Sequence, residues 1–181
     1  MRIALIERGN WGGVTVMIVG LVALLSMAMG AMPVDSDGPV KKYDGGWDLY
    51  KNDDNCALLR SYAGDTILRI AYYPKEDTAR VSVIDGQLKS VEDGASYKFQ
   101  LYFVNGEKID KGWGTVNFKG VKFPNIGSGY KFAVAGKTFL ADMGKNRLLG
   151  IMDGDDVVES LKLDSISDAL VGLEACSLGV S

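Results

Sequence analysis

The chain of 181 residues contains two cysteines, Cys56 and Cys176, and no histidine. Those two facts decide most of the chemistry open to it. Without an imidazole there is no histidine base for a serine or cysteine hydrolase and no histidine-ligated zinc or copper centre, while carboxylate, lysine, tyrosine and serine chemistry remains. Three short strings test what remains. Ser128-Gly-Tyr-Lys131 satisfies the Ser-x-x-Lys pattern of penicillin-recognising enzymes. That pattern needs a helix to put both side chains on one face, and glycines flank this serine. Gly136-Lys137-Thr138 resembles the end of a phosphate-binding loop, but Lys131 stands where the loop needs its first glycine. Asp153, Asp155 and Asp156 offer hard oxygen ligands in one turn. Val158 occupies the sixth position, where a calcium loop of the EF-hand kind wants glycine. A polar hairpin turn is the plainer reading of that segment. The residues call for no cofactor.

Aromatic and polar residues at alternating positions give a different kind of candidate. In Tyr97 to Val104, Phe99, Leu101 and Phe103 share one face of a strand, so Lys98, Gln100 and Tyr102 share the other. With Trp113 they form a candidate binding surface, since an exposed tyrosine or tryptophan presents a flat ring to a sugar or a protein.

The elements that must position these residues read as antiparallel strands broken by turn dipeptides. Cys56–Tyr62, Thr66–Tyr73, Arg80–Asp85, Tyr97–Val104, Lys108–Asp110, Thr115–Phe123, Tyr130–Val134, Arg147–Ile151 and Val157–Leu163 carry the alternation to differing degrees. Asn105-Gly106 marks a tight hairpin, and Gly120 marks a bulge in its strand. Phe139, Leu140 and Met143, followed by Gly144, fit a short helix. A closing helix places Ile166, Ala169, Leu170, Leu173 and Cys176 on one face, with Ser165 as its N-cap and Asp168 in the first turn. The expected fold is therefore mainly β: an antiparallel sandwich or partly closed barrel of about eight short strands, capped by a C-terminal helix.

Residues 1–30 stand apart. Arg2 and Arg8 precede the apolar run Val14–Met29 and then small residues, which is the pattern of a secretory signal peptide; an uncleaved membrane anchor is the alternative. Residues 31–46, rich in glycine, proline and aspartate, read as a flexible leader, and 47–181 as one domain. Loss of Arg2, Arg8 and Glu7 with the signal takes the net charge from −3 to −4. An acidic chain without a basic run argues against nucleic acid as a partner. Contact with a membrane is expected only through the N-terminal segment, if it stays uncleaved. In an oxidising compartment two thiols form a disulfide, and with two cysteines only one pairing exists.

The signal, Trp47 ahead of Cys56, the turn Glu92-Asp-Gly94 before the alternating strand, and Leu161-Lys-Leu163-Asp-Ser165 running into Ala169-Leu170-Val-Gly-Leu173 resemble small exported proteins of alphaproteobacteria, most nearly the invasion-associated locus B family. Trp47 and Cys56 are nine residues apart, whereas that family has a tight Trp-x-x-Cys and further cysteines. The resemblance implies a periplasmic or secreted protein of a Gram-negative bacterium and supplies no catalytic residue. The expected function is a non-enzymatic envelope module, binding or structural, with a protein partner. The alternatives are an inhibitor or immunity-like protein acting on a hydrolase or toxin, and a carboxylate-dependent enzyme on cell-wall glycans, which requires two facing acids.

Overall fold

The computed structural model describes residues 38–180, apart from 89, 107, 124 and 125. The proposed signal segment 1–30 and the start of the leader, 31–37, lie outside the described residues. Ten strands follow one another as β1 (Lys41–Tyr43), β2 (Trp47–Lys51), β3 (Cys56–Ser61), β4 (Thr66–Tyr73), β5 (Thr78–Asp85), β6 (Ser96–Asn105), β7 (Lys108–Phe123), β8 (Gly127–Ala135), β9 (Leu148–Asp153) and β10 (Asp156–Lys162). Helix α1 (Gly136–Lys145) joins β8 to β9, and α2 (Ile166–Leu178) follows β10. All strands pair antiparallel in a single sheet of order β1-β2-β3-β4-β5-β8-β7-β6-β9-β10, which does not close into a barrel. The fold is thus mainly antiparallel β with a C-terminal capping helix, as the alternation predicts, with more strands than the eight expected. Among the described residues no helix is long and apolar enough to cross a membrane.

β1 and β2 are additional to the expected strands, and two expected segments merge into one. Residues 41–46, expected to end a flexible leader, instead pair as β1 along β2 and make a 3-10 turn at Asp44–Gly46. The Tyr43 ring lies against Gly172 of α2, and Gly45 lies against the Asp164 carbonyl, so this stretch belongs to the domain. The segments expected at 108–110 and 115–123 are one strand, β7, carried through Gly112-Trp-Gly114. Its bulges leave Trp113 and Asp110 unpaired opposite β6. Gly120 marks no bulge, because the register with β8 runs unbroken through it. A side chain there would strike the Glu92 carbonyl and Val91. The segment after β5 crosses β8 and β7 to reach β6, and that crossing needs the glycine.

One face of the sheet and both helices share one core. It runs from Trp47, Leu58, Leu68 and Ile70 through Val81, Phe132, Phe118 and Phe103 to Ile151 and Leu161, with Phe139, Leu140 and Met143 of α1 and Ile166, Ala169, Leu170 and Leu173 of α2. Each such side chain contributes roughly 1.5–3 kcal/mol on leaving water. The core holds because the sheet is rolled, and side chains span the gap that no ladder closes. The carbonyl of Lys162, at the end of β10, accepts hydrogen bonds from Arg60 of β3 (3.0 Å) and from the Tyr62 hydroxyl (2.7 Å). Next to it the Asp164 carbonyl accepts from the Trp47 indole (3.0 Å) and from Arg60 (3.4 Å).

The turn that delivers these carbonyls also sets the start of α2. Ser165 adopts a left-handed conformation (φ 57°) and makes no side-chain capping bond, contrary to the expected N-cap, although Asp168 does lie in the first turn. The disulfide joins Cys56 and Cys176 with a Cα–Cα distance of 5.9 Å, tying α2 to β3 at the face that buries the helix.

Candidate binding face

The residues singled out for chemistry separate when the strands take their places. Ser128 and Lys131 lie three apart on β8 and so face opposite sides of the sheet, which leaves the serine without its lysine. Gly136 and Lys137 do open a helix after a strand, but the backbone N–H groups that would cradle a phosphate are taken. Gly136 donates to the Asp77 carbonyl (2.7 Å) and Lys137 to the Asp77 carboxylate (2.9 Å). Asp153, Asp155 and Asp156 are exposed in the β9–β10 hairpin, whose Gly154 supplies the positive φ of 60°. Among the described residues no group of three or more acids or cysteines could hold a metal ion.

Lys98, Gln100 and Tyr102 share the outward face of β6, the first two exposed and the tyrosine half-buried. The Tyr102 ring lies across Gly150 of β9, filling the space where a side chain would stand. Trp113 does not join them. As the unpaired residue of a β7 bulge it turns to the core side, where its indole donates to Asp142 (3.1 Å) and meets the Phe139 ring edge-on at 5.2 Å.

The strand order brings other residues to the outward face that the local alternation could not place. Arg69 of β4 stands opposite Ser82 of β5, Ser82 opposite Lys131 of β8, Lys131 opposite Lys119 of β7, and Lys119 opposite Ser96 of β6. In the adjoining row Arg80 stands opposite Ala71, and Lys98 opposite Asn117, with Gln100 opposite Thr115 beyond. Among the described residues paired in these ladders, this face of β4, β5, β8, β7 and β6 carries Arg69, Arg80, Lys98, Lys119 and Lys131 and no carboxylate. Among the described residues only Arg80 of these has a counter-charge, Glu76 of the β4–β5 turn at 3.1 Å. Lys98, Lys119 and Lys131 are exposed and form no ion pair among the described residues. Burial pushes the Arg69 guanidinium below its ordinary value, partly opposed by Tyr73.

Acids gather at the core-side end of the sheet. Asp85 accepts hydrogen bonds from the Thr66 hydroxyl (3.2 Å) and the Gln87 backbone N–H (2.6 Å). Half-buried Glu159 on β10 is held above the usual carboxylate range, first by burial and then by repulsion from Asp85. Tyr130 beside them is also raised, by burial and then by Tyr97, Asp153 and Glu159. A shallow groove of about 190 Å³ lies between the helices, over Leu140, Gly144, Leu170 and Val171.

Compared with known proteins, the chain matches no protein-family model, no curated protein and no solved structure.

Proposed function

We propose that the protein is an exported, non-enzymatic module of a Gram-negative envelope that binds an anionic envelope component with the outward face of its sheet. The observation that carries this reading is the segregation of charge. A chain of net charge −3 lines up cations on one face of five strands, beside the apolar row Ile67, Ile84 and Val121, and most of those cations have no ion-pair partner among the described residues. A rigid sheet holding such a field raises the local concentration of anions and speeds their encounter. Export is supported by the signal-like N-terminus and by the disulfide, a bond that persists in oxidising compartments. The resemblance to the invasion-associated locus B family accords with the same setting. The expected behaviour is that the purified domain co-sediments with insoluble envelope material at low ionic strength and is released by salt. A Lys119→Glu/Lys131→Glu variant that keeps its Tm should stay in the supernatant; co-sedimentation equal to wild type would overturn the reading.

The acid pair favours a second reading, a carboxylate-dependent glycan enzyme with Glu159, held above the usual carboxylate range by burial, as its acid and Asp85 as the second carboxyl group. A carboxyl group that burial keeps protonated, working with a second carboxyl group, is what such a reaction uses. This reading expects turnover of cell-wall glycan that is lost in both Glu159→Gln and Asp85→Asn. Absence of turnover by the wild type would sink it.

A further inference from the structure

We infer that the anion taken by the outward face is a linear acidic polysaccharide lying across the strands; this rests on the reading of that face as the binding surface. The first argument is the shape of the charge. Arg69, Lys131 and Lys119 fall in one row that runs from β4 to β7 and ends at Ser96 of β6, with Lys98 in the adjoining row. Neighbouring strands are spaced by about 4.8 Å, so the row from β4 to β6 extends over about 19 Å. Cations drawn out in a line suit a chain of repeated negative charges better than one phosphate, which needs donors that converge.

The second argument is that the row is maintained at a cost. Lys119 and Lys131 are directly opposed in the ladder, and like charges so placed repel. A bound polyanion relieves that repulsion. The third is what lies between the cations. Exposed Asn117, Thr115 and Gln100 offer neutral donors and acceptors, and the Tyr102 ring lies two residues beyond Gln100 on the same face, a combination suited to sugar hydroxyls and a sugar ring. The fourth argues against a bilayer. Of the large exposed apolar side chains among the described residues, only Ile109, opposite Val104 beyond Tyr102, is on this face of the five strands, and a single exposed side chain is too little apolar surface to anchor in an acyl layer.

The test measures binding of the signal-free protein to polygalacturonate, with neutral dextran, polyglutamate and phosphatidylglycerol vesicles in parallel, at 50 and 200 mM salt. Polygalacturonate is expected to bind and to weaken roughly twentyfold between the two salt concentrations, as for a polyanion held by about three cations. The Lys119→Gln/Lys131→Gln variant is expected to lose about tenfold in affinity at low salt, since each charge removed lowers the electrostatic contribution. Its Tm should be unchanged or raised, because a repulsion has been removed. If polyglutamate or vesicles bind as tightly as polygalacturonate and the variant loses that binding, the face is a binding surface but the glycan inference fails. If no polyanion binds, or the variant binds as the wild type does, both fail.

Discussion

Arg60 has its side chain only 14% exposed and forms a long ion pair, 3.8 Å, with the exposed carboxylate of Asp164. It is held by two carbonyls and by the rings of Trp47 and Tyr62, at 5.4 and 4.8 Å from their centroids. A planar guanidinium can stack and donate in several directions at once, which an ammonium cannot. Arg60→Ala is expected to cost about 2–3 kcal/mol in urea unfolding, because it leaves carbonyls without their charged donor. Arg60→Lys should recover only a minor part of that. Tyr62 tests the same junction by pH. Burial, with Asp164 adding to it against the opposing effect of Arg60, pushes its hydroxyl from 10.0 up to about 12. The folded state therefore holds this proton more tightly than the unfolded chain does. The stability it brings is complete below pH 10 and drains away as pH rises towards 12. Tyr62→Phe should lose about 1 kcal/mol at neutral pH with its hydrogen bond and flatten the alkaline decline. Glu159 obeys the same sign at lower pH. Its raised proton affinity means that stability falls as pH climbs above 4.5, so Glu159→Gln should be more stable than wild type at pH 7 and equal to it in acid. None of this was legible in the sequence, where Arg60 and Tyr62 were ordinary strand residues and their partners lay about a hundred positions away.

At the scale of elements, α1 begins on an aspartate from another part of the chain. Asp77, left-handed at φ 44° in the β4–β5 turn, supplies both its carbonyl and its carboxylate to the first turn of the helix. Asp77→Ala removes the side-chain acceptor and places a residue with no liking for positive φ in that turn. The expected loss is about 1–2 kcal/mol. Asp77→Asn should lose much less, since it keeps an acceptor and tolerates the conformation. The apolar spacing of Phe139, Leu140 and Met143 was enough to find α1, but a cap contributed through space leaves no local mark. The same holds at α2, where the serine in the customary position makes no cap because the chain turns to present two carbonyls to β3. Tyr102 and Gly150 make a second element-scale pair. Gly150→Ala must displace the ring, so its cost should fall sharply in a Tyr102→Ala background. A coupling energy below about 0.5 kcal/mol would mean that the ring yields freely.

At the scale of the molecule, alternation located most strands and assigned their buried faces, because burial of one side is a local property of a strand. The order β5-β8-β7-β6-β9 was not legible, since it depends on which strands meet after the chain has crossed the sheet. The cationic face was hidden for that reason: Arg69, Lys131 and Lys119 are unremarkable until their strands are laid in order. The cysteine pairing needed no such information, as only one was available. Its bond closes a loop across 120 positions, for which chain entropy sets a stabilisation of about 5 kcal/mol as an upper figure. Reduction, or Cys56→Ser, should therefore lower the denaturation midpoint severely. A Cys56→Ser/Cys176→Ser protein as stable as the wild type would show the bond to be dispensable.

The same bond decides how the domain bears mechanical load. Pulled from upstream of β1 and downstream of α2, the chain can release only β1, β2 and the few residues after Cys176 before tension reaches the sulfur bridge. From there the force passes directly between Cys56 and Cys176, and β4 to β10 lie in a loop that carries none of it. Oxidised protein in a single-molecule pulling experiment should show a short extension and then stiffness, and reduced protein a full unravelling.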